Sequence, residues 1–206
     1  LDLLERFRSR QLDVMVGTQM LAKGHDFPAV TLVGVVLAEQ GLRIPDFRAA
    51  ERTFQLLTQV AGRAGRGEQP GEVIVQTYAP EHPAIVAALA HDHTSFVGDE
   101  LLQRARTEYP PSSHLALIEA RSKRPAPAHD TLKDLISLLR HWGLEVRGPV
   151  PAGLSRLRGV FRFHGLVRSR DRRALHQGLA RLRRERWSTL PAQVHVTVDI
   201  DPTDFM

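Results

Sequence analysis

A chain of 206 residues, 42% hydrophobic and 25% charged, has the balance of a folded protein and is long enough for one large or two small cores. It has no cysteine, no run of about 18 apolar residues and no charged-then-apolar leader, which excludes a disulfide framework and a thiolate zinc site and argues against a membrane span or secretion signal; a soluble intracellular protein is expected. The formal charge of +5 is uneven, with 9 basic and 13 acidic groups in residues 1–100 but 19 and 10 in residues 101–206, so an anionic partner is expected on the second half.

An amphipathic pattern (Leu3, Leu4, Phe7, Leu12) is already under way when the chain opens at Leu1, so the segment is expected to begin inside a larger protein. Residues 13–16 and 30–37 are short, β-branched and bounded by turn formers, the pattern of buried parallel strands. Residues 48–61 place Ala50, Phe54, Leu57 and Val60 at helical spacing, and residues 72–78 predict another strand, so that strand, helix and strand form a βαβ layer. Residues 84–106 predict one helix, a connector with Gly98 as its weak point, and Tyr109, Pro110 and Pro111 break the chain after it. A strand at 114–121, a helix at 129–142, strands at 144–147 and 160–167, a helix at 171–186 opened by the acidic cap Asp171, and an alternating strand at 193–200 follow. That β-α-β-β-α-β order predicts a ferredoxin-like α+β domain, giving a division into 1–80, 81–108 and 109–206.

The chemistry concentrates in two segments of the first half. Gln59, Gly62, Arg63, Gly65, Arg66 and Gly67 alternate arginine with glycine directly after a predicted helix. Glycine lets backbone come close to a phosphate, and two guanidinium groups can neutralise charge that builds on a transferred phosphoryl group. Upstream, Gly17, Thr18, Gln19, Lys23, Gly24, His25 and Asp26 follow a predicted strand, where open α/β sheets present binding groups, and Thr18 and Gln19 are placed to meet a nucleic-acid backbone.

Together the two segments resemble the fifth and sixth motifs of superfamily 2 helicases. The stretch from Pro45 to Leu57 makes the resemblance specific to the PriA-type replication-restart family. It continues through Glu81 to Pro83, Tyr109 to Pro111, Gly148 to Pro151, Ser155 to Gly159 and Val198 to Pro202, essentially the whole chain. Ala38, Glu39 and Gln40 stand where the family carries aspartates after its strand. The resemblance implies an α/β chain, part of a second RecA-like lobe followed by the ferredoxin-like domain. It also implies an ATP-dependent 3′ to 5′ DNA helicase that recognises stalled or abandoned forks and initiates primosome assembly. Arg63 and Arg66 would be catalytic, reaching the γ-phosphate, one as an arginine finger. Gly24, Asp26 and Gln59 would belong to the ATP site, and Thr18, Gln19 and Lys23 would grip single-stranded DNA. ATP and Mg²⁺ would be held mainly by a first lobe, since neither G-x-x-x-x-G-K-[ST] nor D-E-x-H occurs here and the segment alone should be inactive. Zinc is expected elsewhere in the parent protein, and the implied setting is the bacterial cytoplasm at replication forks.

The second half carries Arg156, Arg158, Arg162, Arg168, Arg170, Arg172 and Arg173 with Phe161 and Phe163 interleaved, a pairing that suits phosphate binding and base stacking. The two phenylalanines share a strand face and are expected in the core, with Arg162 pointing the other way and exposed. By resemblance this domain holds forked DNA and receives the tail of the single-stranded DNA-binding protein, with Arg170 or Arg172 on its terminal carboxylate. Other primosome proteins and the replicative helicase loader are further partners. His82, His91 and His93 lack carboxylates in a ligand pattern and are expected to be solvated, and Trp142 and Trp187 to pack against the sheet. The alternative is a fork-binding loading factor of the same architecture that has lost its motor; an intact phosphate loop elsewhere in the protein would decide for the helicase.

Overall fold

The computed structural model describes residues 2–18, 27, 29–62 and 71–205. The chain divides into two mixed α/β units, Leu1–Glu100 and Leu101–Met206.

The first unit runs α1 (Asp2–Arg8), β1 (Leu32–Val35), α2 (Ala49–Ala61), β2 (Glu72–Val75), α3 (Pro83–Leu89) and the start of α4 (His93–Thr107). β1 and β2 pair in parallel, Leu32 opposite Glu72 and Val35 opposite Val75. α2 buries Ala49, Thr53, Phe54, Leu57 and Val60, which recur once per turn with Thr53 and Phe54 adjacent, so one stripe faces inward. Phe54 and Leu57 meet Ala84, Ile85, Ala87 and Ala88 of α3 and Phe96 of α4, with Val35 and Val75 at the margin. The Phe54 and Phe96 rings stack at 4.2 Å. Asp46 fixes the start of α2: its carboxylate accepts the backbone N–H of Arg48 at 2.9 Å and lies 3.0 Å from the Arg52 guanidinium.

Three sequence expectations need correction here. Residues 13–16 form no strand, and Val14 and Val16 are exposed; β1 has only β2 beside it among the described residues, and an apolar run becomes a strand only where a ladder accepts it. The strand of 30–37 is confined to Leu32–Val35, because Leu37 turns into the left-handed region (φ 54) and opens a 3-10 turn over Ala38–Arg43. The single helix of 84–106 is two, broken at His91 (φ 53) rather than at Gly98. Asp92 accepts the N–H of Ser95 at 3.0 Å and so caps a new helix. Part of the segment read as a connector, Ala84 to Phe96, thus lies in the first core. Glu39, the departure from the family pattern, is buried and accepts from Thr77 Oγ1 at 2.8 Å. Its own backbone N–H, followed by Thr77, holds its carboxyl below the usual range.

The second unit contains β3 (His114–Ser122), α5 (Pro125–His141), β4 (Glu145–Leu157), β5 (Val160–Ser169), α6 (Arg172–Arg186) and β6 (His195–Ile200). The sheet order is β4-β5-β3-β6 with every neighbour antiparallel. Strand side chains alternate, so Ala116, Ile118 and Ala120 of β3, Val167 of β5 and Val196 of β6 line one face. Ala128, Leu132, Leu135, Ile136 and Leu139 of α5 and Leu175, Leu179 and Leu182 of α6 cover it. Each such leucine contributes roughly 1.5–3 kcal/mol on burial. Trp142 and Trp187 pack against this core.

β4 is much longer than the predicted 144–147, because its pairing with β5 resumes after irregularities on either side of Val150 and Pro151. Gly148 makes the first of these possible: its φ is +108, and a Cβ there would lie 2.6 Å from the His164 carbonyl oxygen. Arg140 on α5 donates to the carbonyls of Val146 and Gly148 and pins the bent strand to the helix.

Candidate nucleic-acid interface

The β4–β5 hairpin closes through Arg158 and Gly159, with Leu157 paired to Val160 and φ values of 50 and 81 at the two turn residues. Two successive positive φ values match the right-handed twist of the flanking strands. Glycine takes that conformation freely, and Arg158 holds it with its side chain in solvent. One pair back, Arg156 faces Phe161, and its guanidinium lies 5.1 Å from the ring centroid. The structure thus separates the two phenylalanines: Phe163 packs on the core, as expected, while Phe161 sits near the tip under an arginine.

Arg162 corrects the sequence reading, which made it an exposed nucleic-acid contact. Its side chain is 15% exposed and lies 2.6 Å from the Glu119 carboxylate. His164 Nε2 is 3.1 Å from the same oxygen, and since an ionised carboxylate only accepts, that nitrogen carries the bridging proton. The hydrogen bond from His164, ahead of that from Arg162, holds the Glu119 carboxyl down to about 2 against the burial that opposes ionisation. The helix-free face of the sheet therefore carries a compensated charge cluster at this position.

Arg168 is similarly engaged. It is 11% exposed, pairs with Glu145 and Glu108, and donates to the Thr107 carbonyl at 2.7 Å. Hydrogen bonding with Glu145 raises the Arg168 pKa and lowers that of Glu145. Arg170, expected to be available to a partner, pairs with Glu108, although most of its side chain remains in solvent. Arg168, Arg170 and Glu108, with Arg147, Thr107 and Tyr109, line a shallow cavity of about 390 Å³. Arg172 is exposed on the first turn of α6.

α6 holds functional candidates that the sequence reading passed over. Asp171 caps it, accepting the Arg173 N–H at 2.8 Å, and beyond Arg172 and Arg173 the helix carries Arg181, Arg183, Arg184 and Arg186. The hydrophobic stripe Leu175, Leu179 and Leu182 could have marked which of these face outward.

In the first unit Thr18 is exposed on irregular chain and Gln59 is exposed on the last turn of α2. Gln19, Lys23, Gly24, Asp26, Arg63 and Arg66 lie outside the described residues. Among the described residues no cluster of three potential metal ligands occurs, and no helix is long and apolar enough to cross a membrane.

Residues 105–203 match the family of the primosomal protein N C-terminal domain, and residues 1–68 match the helicase conserved C-terminal domain. The replication restart protein PriA of Bacillus subtilis (strain 168) is 40% identical over 207 residues, 99% of this chain and 26% of that protein. Its namesake from Synechocystis is 39% identical over 97% of this chain and 24% of its own length, and that from Treponema pallidum 41% identical over 98% and 31%. The chain thus spans about a quarter to a third of the length of the curated relatives it matches.

Proposed function

Because the chain belongs to the PriA replication restart family and corresponds to a carboxy-terminal portion of its members, we propose that it serves an ATP-dependent 3′ to 5′ DNA helicase that recognises stalled forks and starts primosome assembly. The observation that carries this reading is the succession, in one chain, of a helicase conserved C-terminal match on 1–68 and a primosomal protein match on 105–203. Residues 1–80 then form part of a second RecA-like lobe. Residues 109–206 form a ferredoxin-like domain, a reading supported by the sheet order β4-β5-β3-β6 and the helices after β3 and β5. A motorless loading factor is less well supported, since the helicase match is retained.

In this reading Arg63 and Arg66 approach the γ-phosphate of ATP, with Gly24, Asp26 and Gln59 beside the nucleotide; the exposed side chain of Gln59 at the end of α2 is free to take that part. Bound ATP with Mg²⁺ supplies the energy of hydrolysis. Thr18, Gln19 and Lys23 hold the single strand, and Arg156 and Arg158 hold phosphates near the Phe161 ring. The acidic tail of the single-stranded DNA-binding protein meets Arg172 rather than the paired Arg170. Fork-stimulated ATP hydrolysis by the full-length protein tests the motor. Arg66→Ala should lower the rate about 10³-fold or more. Wild-type hydrolysis that the substitution leaves intact would remove Arg66 from the site. No hydrolysis in the unaltered protein, with fork binding retained, would turn the reading to the loading factor.

A further inference from the structure

The cations that the second half presents to solvent are only in part the ones its sequence emphasises. Arg162, Arg168 and Arg170 face Glu119, Glu145 and Glu108, so much of the basic character of residues 156–170 is neutralised within the fold. On α6 the situation is reversed. Arg172, Arg173, Arg183 and Arg184 are exposed, and among the described residues none has a carboxylate partner. Arg181 differs: it pairs with Glu185 at 2.7 Å and lies over the Trp142 ring at 4.2 Å.

Helical geometry fixes where those four charges stand. With Leu175, Leu179 and Leu182 buried, a 3.6-residue period centres Arg173, Gln177 and Arg184 on the solvent side and sets Arg172, His176 and Arg183 along one flank. Arg172 and Arg183, like Arg173 and Arg184, are 11 residues apart, which is three turns and about 16 Å of axis. Each end of α6 therefore carries two exposed guanidinium groups that have no carboxylate partner among the described residues, and the outward positions between them are Gln177 and the small Ala180. The major groove of a duplex is about 12 Å wide, and the phosphates on its two rims add several ångströms. We propose that α6 bridges the rims of a duplex groove, Arg172 and Arg173 taking phosphates of one strand and Arg183 and Arg184 those of the other, so that duplex and acidic tail compete for Arg172. Arginine suits this, since its planar fork can bind a phosphate through two parallel hydrogen bonds. The N–H of Arg173 is already bonded to Asp171, so side chains rather than the helix terminus make the contacts. A single strand offers no second rim at fixed distance, so the surface selects duplex DNA.

This inference rests on the DNA-binding reading above, and the test separates the two. Full-length protein would be titrated with a short blunt duplex and with a single strand of the same length across a salt series. Arg183→Glu with Arg184→Glu should weaken duplex binding and flatten the slope of log affinity against log salt by about 2, while leaving the single strand unaffected. Arg172→Glu with Arg173→Glu, at the other end, should do the same, so the prediction does not depend on one variant folding. Arg183→Lys with Arg184→Lys, which keeps the charge, should retain most of the slope. Unchanged duplex slopes in both reversals would overturn the bridge while wild-type DNA binding stood. So would equal losses on duplex and single strand, or loss of acidic-peptide binding with duplex affinity intact. A wild-type protein that binds neither DNA would overturn the inference together with the reading beneath it.

Discussion

With His164 and Arg162 both donating to it, Glu119 stays ionised in the folded state down to about pH 2, against an ordinary value of 4.5. A carboxyl depressed on folding contributes stability in full above its unfolded pKa and loses it as the pH falls through the folded one. The cluster should therefore support the second unit at neutral pH and weaken between about 4.5 and 2. Glu119→Gln should lower stability at pH 7 by on the order of 3 kcal/mol, and the gap from wild type should roughly halve at pH 3. Denaturant titrations of both proteins at the two pH values check this; a gap constant with pH would show that the carboxylate charge is not what Arg162 and His164 stabilise. Alternation along β5 correctly puts Arg162 on the face opposite Phe163, but it does not reveal Glu119 waiting there, 43 residues away in the chain. Pairing between strands decides that, and periodicity carries no information about partners.

Helices whose ends carry their own signals were legible, and those defined by a distant partner were not. Asp171 reads as a cap and acts as one on α6. Asp171→Ala should cost about 1 kcal/mol, seen as a lower thermal midpoint, with the hydrophobic stripe of α6 untouched; an unchanged midpoint would mean solvent serves the helix terminus equally well. Asp92 offers the same kind of signal, but it lies inside a continuous helical pattern, which hides the break before α4 and leaves Gly98 as the visible weak point. Gly98 has nothing within 4 Å of where a Cβ would stand and rests inside α4 without consequence for the fold. β4 extends past the expected 144–147 and through Pro149 and Pro151. The strand passes them by irregular pairing, with Arg140 donating to the Val146 and Gly148 carbonyls beside the first irregularity.

Across the whole chain, the order of strands and helices and the polarity of the second half follow from pattern and composition, and the remote motifs carry the family resemblance. The distribution of free charge did not follow, because the carboxylates that neutralise Arg162, Arg168 and Arg170 come from 23 to 62 residues away. What remains uncompensated on α6 is guanidinium alone: the helix has six arginines and no lysine, and the only lysines of residues 101–206 are Lys123 and Lys133, both outside it. Guanidinium groups stay protonated far above neutrality and do not react with acylating reagents aimed at amines. Exhaustive acetylation of the protein should therefore leave the α6 contribution to the salt dependence of duplex binding in place, read as an undiminished slope difference between wild type and the Arg183→Glu, Arg184→Glu protein. A surface of this composition therefore cannot be discharged by lysine acetylation, the modification that removes a lysine's charge.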